Sequence, residues 1–237
     1  MKKITSATRR AINDFNMIED GDCIAVGVSG GKDSLTLLTA LASLRNYLPQ
    51  KFTLKALTLE MGFEGCSTAD IAAYCEKIGV EYITKETEIA KIIFDIRKEK
   101  NPCSLCAKMR RGALHELAVL HGCNKVALGH HFDDVIETFF LSLFYEGRIS
   151  CFNAVSYLDR VNVTLIRPLL YVEEKDIISF ARRTNLPIMH NPCPADKHTK
   201  REYIKQLLHS LEIENKDLRK RVFTAVKNGL LLSNPDF

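Results

Sequence analysis

Two groups of residues in this chain have types and spacings that suit chemistry. The first is Val28-Ser29-Gly30-Gly31-Lys32-Asp33-Ser34, between a continuous β-rich apolar run (23–28) and an apolar stretch of helical spacing (35–48). Glycines let a backbone approach a phosphate closely. The start of the following helix offers free N–H groups and the positive end of its dipole. Ser29 and Ser34 add hydroxyl donors and Lys32 a point charge. Asp33 would repel phosphate unless a cation lay between them, which points to Mg²⁺ held at Asp33. The spacing is not the Walker pattern, because Lys32 is followed by Asp, and it is not the dinucleotide G-x-G-x-x-G.

The second group is Cys103-x-x-Cys106 after Asn101-Pro102, together with Cys193 in His190-Asn191-Pro192-Cys193-Pro194. Proline fixes an extended or turn backbone around both thiol sites. Three thiolates can hold a [4Fe–4S] cluster with one iron left open. With His190 or His198 they can complete a Cys₃His zinc site. Cys103 and Cys106 at a helix start could instead be a redox pair, or the cysteines could be structural. Spacing alone leaves these alternatives open.

The elements that must position these groups alternate along the chain. Residues 3–18 have helical spacing with a basic face. Strands are expected over 23–28, 53–62, 80–86, 125–130 and 162–169, and helices over 35–48, 68–78, 103–122, 133–147 and 173–184. Two further helices are expected near 199–211 and 216–231. Such alternation predicts an α/β fold with a mostly parallel five-stranded sheet, helices on both faces, and a small helical C-terminal tail. The expected division is a domain over 1–196 and a basic extension over 197–237. Sheets of this kind bind ligands at the carboxyl ends of their strands.

Composition narrows the class further. The chain has 237 residues, 46% hydrophobic and 26% charged, an ordinary globular mix that excludes extensive disorder. No apolar run reaches the roughly 18 residues of a membrane span, and the charged start MKKITSATRR is unlike a signal peptide. A soluble, cytoplasmic protein is expected. Its eight cysteines are then not a disulfide framework; Cys23, Cys66, Cys75, Cys123 and Cys151 read as small hydrophobes. The segment from Lys197 to Phe237 carries nine Lys and Arg against five Asp and Glu, which accounts for the whole net charge of +4. A basic face there could attract a polyanion.

Ser-Gly-Gly-Lys-Asp-Ser matches the phosphate loop of the N-type ATP pyrophosphatases, which cleave ATP between its α and β phosphates and activate a carbonyl oxygen as an adenylate. That resemblance implies phosphate contacts for Ser29, Gly30, Gly31, Asp33 and Ser34, with Val28 and Lys32 in the same ATP-binding loop. CSLCAKMRRGAL, ALGHHFDDVIETFFLSLFYEGRI, IRPLLYVEEKDI and NPCPAD with the following Arg201 run in order over most of the chain. Together they resemble the TtcA family, the tRNA 2-thiocytidine synthetases. The resemblance implies that Cys103, Cys106 and Cys193 bind a [4Fe–4S] cluster whose fourth iron has no protein ligand. It implies ATP-dependent replacement of the C2 oxygen of a tRNA cytidine, at position 32, by sulfur held on that cluster. It departs from many relatives in having Cys193 alone where they carry a second C-x-x-C.

Other groups acquire roles in the same light. Gly129 and His130 would line the nucleotide pocket. Asp134 would orient a metal or take a proton; the plain alternative for Asp133 and Asp134 is a helix cap. Lys108, Arg110 and Arg111 follow the C-x-x-C, and with Lys200, Arg201, Arg219, Lys220 and Arg221 they are the expected RNA-binding cations. Lys197, Lys205, Arg9 and Arg10 could extend that surface. Arg167 could bind a phosphate or carboxylate. Phe139, Phe140, Leu143 and Phe144 read as core, and base stacking as a minor contribution. The expected partners are tRNA, ATP and a sulfur donor such as a cysteine desulfurase, with no membrane; a homodimer stays open.

Overall fold

The computed structural model describes residues 1–63, 67–97, 102–189, 193 and 200–232. Chain order is α1 (Lys2–Asp14), β1 (Cys23–Gly27), α2 (Lys32–Leu44), β2 (Thr53–Glu60), α3 (Ala69–Lys77), β3 (Glu81–Glu86), α4 (Ile89–Lys91), α5 (Pro102–Leu120), β4 (Lys125–Ala127), α6 (Phe132–Leu141), β5 (Val155–Leu158), β6 (Val163–Ile166), α7 (Glu174–Thr184), α8 (Lys200–Glu214) and α9 (Leu218–Val226). Helices α4, α6 and α9 each run on into a π-helical turn, over Ile92–Ile96, Ser142–Glu146 and Lys227–Leu231.

The strands form one sheet in the order β3-β2-β1-β4-β6-β5. All neighbouring pairs are parallel except β5 with β6. The sheet therefore has six strands, where the sequence predicts five. The missed strand, β5, is a short edge strand with Tyr157 exposed, and it lacks the continuous apolar run that marks a buried strand. It turns back into β6 through Asn162, which takes a left-handed φ of 52°. Chain order reverses beside β1, which has β2 on one side and β4 on the other. A crevice at the carboxyl ends of β1 and β4 follows from that reversal. It receives the loop after β1 and the segment after β4.

Alternation along the strands divides the apolar residues between two faces. Ile24, Val26, Leu54 and Ala56 join the larger core, with Leu35, Leu38 and Leu41 of α2, Ile136 of α6 and Phe180 of α7. Ala25, Leu57, Val126 and Val163 join the smaller one, against Leu117 and Ala118 of α5. A fully buried side chain of this size contributes about 1.5–3 kcal/mol.

The C-terminal helices share the larger core. Ile204, Leu208, Phe223 and Val226 are buried in it, and the Phe223 ring stacks on Phe132 with centroids 4.4 Å apart. An ion pair anchors the contact. Arg219 donates to Asp133 at 2.9 Å and to Glu212 at 2.7 Å, with little of either Arg219 or Asp133 exposed. Removing one member leaves a buried charge uncompensated. Arg219→Met is expected to cost about 3 kcal/mol in urea denaturation. Adding Asp133→Asn should restore part of it, because the more buried of the two carboxylates is then uncharged; a double variant no more stable than the single would contradict this reading.

Candidate active site

The loop from Val28 to Ser34 is held in shape by its own hydroxyls. Ser29 N–H donates to Ser34 Oγ at 3.2 Å, Gly31 N–H to Ser29 Oγ at 3.4 Å, and Ser34 Oγ to the Gly31 carbonyl at 3.0 Å. Thr58 Oγ1 of β2 ties the Val28 carbonyl at 2.9 Å. Gly30 adopts φ +79°, and a Cβ there would lie 2.9 Å from Met189 Cβ and Sδ. Gly31 caps α2 in extended geometry, so the first amides of a 13-residue helix are free for an anion. The segment after β4 comes in from the other side of the switch. A Cβ on Gly129 would stand 3.1 Å from the Asp33 carbonyl carbon and the Ser34 nitrogen. The resemblance-derived nucleotide residues thus meet at one end of the sheet.

Beside the loop, charged side chains surround a cavity of about 190 Å³, lined by Lys32, Asp33, His131, Asp134, Glu137, Glu174, Arg201, Glu202 and Lys205. Lys32 bridges Asp33 and Glu174, both at 3.1 Å. Burial alone would lower the Lys32 ammonium, but the two carboxylates outweigh it and hold it above its ordinary value. Asp33 Oδ1 is buried with no hydrogen-bond partner; His131 Nε2 stands 3.8 Å from it. Asp134 does what a helix cap does, accepting from the His131 N–H at 3.0 Å. Its other oxygen takes Arg201 at 3.1 Å, and Arg201 also reaches the buried Glu137 at 3.0 Å. Asp133 Oδ2 caps α7 by accepting from the Glu174 N–H at 2.7 Å.

Glu174 was not singled out in the sequence. Burial would raise its carboxyl, but the Lys205 hydrogen bond at 2.8 Å and the Lys32 charge hold it at about 2. A carboxylate depressed on folding adds stability above its unfolded value of about 4.3 and loses it as pH falls toward the folded value. Glu174→Gln is therefore expected to lower stability at pH 7. It should also remove part of the fall between about pH 4.3 and 2, read from urea midpoints across that window. An unchanged acid limb would contradict this assignment.

The thiols lie on a different set of elements. Cys103 and Cys106 occupy the first turns of α5 at i, i+3, which places them on one face. Cys103 is exposed; Cys106 and Cys193 are half-buried. Burial pushes the Cys106 thiol up, Arg110 opposes that, and the charges of Cys193 and Cys103 push it further up. The fold therefore brings Cys193 into the electrostatic neighbourhood of the C-x-x-C. Among the described residues no three His, Cys, Asp or Glu side chains are yet close enough to enclose a metal ion. His190 and His198, the zinc alternatives, lie outside the described residues, as do Cys66, Lys197 and the expected domain boundary at 196–197. Met189, four positions before Cys193, donates its N–H to the Gly30 carbonyl at 2.9 Å.

Of the remaining cysteines, Cys75 and Cys123 are buried, and Cys23 and Cys151 are half-buried. The expected RNA cations divide. Lys108, Arg110, Arg111, Lys200, Lys220 and Arg221 are exposed, whereas Arg201 and Arg219 hold the α6 carboxylates described above. Lys205 pairs with Glu174. Arg167 turns inward onto His130, the Asn153 carbonyl and Ser156, rather than offering itself to a ligand. Leu143 and Phe144 are corrections: both are exposed, as is Tyr145, while Phe139 and Phe140 pack against the core. The helix becomes a π-turn at Ser142, so α-helical spacing no longer predicts which side those residues face.

A family model described as the PP-loop domain matches residues 3–211, and the chain belongs to that class of ATP-binding proteins. It is 43% identical to the tRNA-cytidine(32) 2-sulfurtransferase of Geobacter metallireducens, over 96% of this chain and 90% of that one. It is 42% identical to the enzyme of the same name from Geobacter sulfurreducens, with the same coverage. The chain belongs to the tRNA-cytidine(32) 2-sulfurtransferase family. Its fold is also that of the U34-tRNA thiolase NcsA from Methanococcus maripaludis, whose structure contains a [4Fe–4S] cluster (TM-score 0.77, 23% identity, 95% of this chain and 78% of that one).

Proposed function

We propose that this protein replaces the C2 oxygen of cytidine 32 in tRNA with sulfur, spending ATP as AMP and pyrophosphate. The observation that supports the reading is twofold: Met189, four positions before Cys193, bonds the phosphate loop at Gly30, and the charge of Cys193 acts on Cys106. Family membership supplies the substrate class.

The loop amides and the α2 dipole bind the phosphates. Lys32, paired with Asp33 and Glu174, keeps a positive charge beside the loop that can turn to the phosphates. The unsatisfied Asp33 Oδ1 is the oxygen suited to a Mg²⁺ ion on the phosphates. Adenylation joins the cytidine O2 to the α-phosphorus and expels pyrophosphate. A poor leaving group becomes a good one, because the oxygen then departs within AMP.

Cys103, Cys106 and Cys193 are three soft sulfur donors, one fewer than a closed Cys₄ site needs, and fit a [4Fe–4S] cluster. When bound, that cluster supplies an iron free of protein ligands at which sulfur can be held. The exposed cations of α5 and of the C-terminal helices suit tRNA phosphates. No helix among the described residues is long and apolar enough to cross a membrane. A cytoplasmic location and a cysteine desulfurase as sulfur source fit the reading.

The test is anaerobic incubation of the iron-loaded protein with tRNA, ATP, Mg²⁺ and a sulfide source, followed by nucleoside mass spectrometry. The expected product is 2-thiocytidine at position 32, formed only with ATP. Thiolated uridine instead would move the target, and AMP production without any thiolated base would overturn the reading.

A further inference from the structure

A buried cation at the end of β6 has no carboxylate among the described residues. Arg167 is 7% exposed. Its Nε donates to His130 Nδ1 at 3.3 Å, and its guanidinium also reaches the Asn153 carbonyl and Ser156 Oγ. The guanidinium carbon sits 4.9 Å from the centre of the Phe152 ring, and the His130 ring packs on the same phenylalanine at 4.8 Å. The topology explains the meeting. β4 and β6 are parallel neighbours, with Ala127 opposite Ile166. Residues just beyond each strand emerge together at the crevice that receives the phosphate loop.

A guanidinium can only donate, so His130 Nδ1 must accept and carries no proton. The imidazole is then neutral, with its hydrogen on Nε2. That nitrogen has no hydrogen-bond partner among the described residues, and His130 is only half-buried, so its N–H is free to meet a ligand. We propose that Arg167 is a positioning residue that fixes His130 as a neutral Nε2–H donor, and that this donor binds an oxygen acceptor of the substrate. The acceptor is a phosphate oxygen of ATP or the carbonyl of the target base.

The electrostatics agree. Burial, then the Arg167 charge, pushes His130 down to about 4; Asp134 opposes this, while Arg201 and His131 add to it. An arginine rather than a lysine suits the position, because its planar fork stacks on Phe152 while it donates in several directions. The inference rests on the proposed function only for the identity of the acceptor.

Nitrogen-15 NMR of histidine-labelled protein tests it, with the His130 signals assigned by comparison with His130→Gln. The expected wild-type result is one Nε2–H tautomer that does not titrate between about pH 5.5 and 8. In Arg167→Met both tautomers should appear, and titration should move toward the ordinary histidine value of about 6.5. That variant should lose about 10-fold or more in kcat/KM, the scale of a partner that orients a functional histidine. The loss should be greatest above that titration, where the Nδ1–H tautomer leaves Nε2 an acceptor, and partly recovered below it, where both ring nitrogens donate, whereas a merely structural defect would lower activity equally at every pH. His130→Gln, which can present an N–H near the same place, should retain more activity than His130→Leu. Weakened ATP binding in His130→Leu would identify the phosphate. Unchanged ATP binding with a raised KM for tRNA would identify the base. A wild-type His130 found as the Nδ1–H tautomer or as imidazolium would overturn the proposal. So would a His130→Leu variant with unchanged ATP binding and unchanged kcat/KM for tRNA.

Discussion

Alanine at any one of Cys103, Cys106 and Cys193 is expected to abolish tRNA thiolation while leaving ATP binding close to wild type. The three thiols come from the start of α5 and from a segment far along the chain, so the structure gives no reason for them to act singly. Cys106 already feels the charges of the other two, and two thiolates are too few for a cluster that normally takes three or four. The proposed ATP contacts lie in the loop after β1, on different residues, so ATP should still bind. The comparison set is Cys23→Ala, Cys75→Ala and Cys123→Ala. Burial holds the Cys75 and Cys123 thiols at about 11 and about 12, so they are inert protonated groups that pack. Each should cost about 1–2 kcal/mol of stability through the atoms lost and keep thiolation at temperatures where the variant is folded. Equal loss of activity in both sets would undo the assignment.

Gly30→Ala is expected to have an effect of similar size by another route. At φ +79° an added Cβ is strained by about 1–2 kcal/mol. It would also lie 2.9 Å from Met189 Cβ and Sδ. Relief requires moving either the loop or the segment that Met189 anchors to the Gly30 carbonyl. Moving the loop misaims the amides that hold phosphate. Moving the segment displaces Cys193. ATP affinity and AMP formation should therefore fall by about 10- to 100-fold, since an ångström of misplacement has effects of this order. Thiolation should fall at least as far. Met189→Ala should not restore it, because the backbone strain and the Met189 Cβ both remain. Calorimetric ATP binding and AMP release measure this directly; a Gly30→Ala protein with native ATP affinity would show that the loop tolerates the shift.

The parts legible in sequence are those with local causes. The continuous apolar run before Ser29 and the glycines after it specify a buried strand and a tight loop. The five expected strands and the helices between them occur in the order read. What escaped reading depends on distant packing. β5 is an edge strand whose pairing with β6 is decided by the sheet and not by its own pattern. Helix α4 is a single turn with no periodicity long enough to see. Arg201 and Arg219 carry the charge that suits RNA, yet the fold faces them with Asp134, Glu137 and Asp133 of α6, and burial of those carboxylates decides the matter. Glu174 carries no signal in the sequence, and Arg167 reads there as a ligand for a phosphate or carboxylate: one finds Lys32 and the other finds His130 only once β4, β6 and α7 converge. Leu143 and Phe144 lie in a π-turn, which shifts the helical phase that sequence spacing assumes.

Iron, zinc and acid-labile sulfide per chain, after purification without oxygen, test the central claim most directly. About four irons and four sulfides per chain, lost in Cys193→Ala, are predicted, because Cys193 is the proposed third ligand and lies far along the chain from the C-x-x-C. Zinc without sulfide, or iron and sulfide unchanged in Cys193→Ala, would contradict the account.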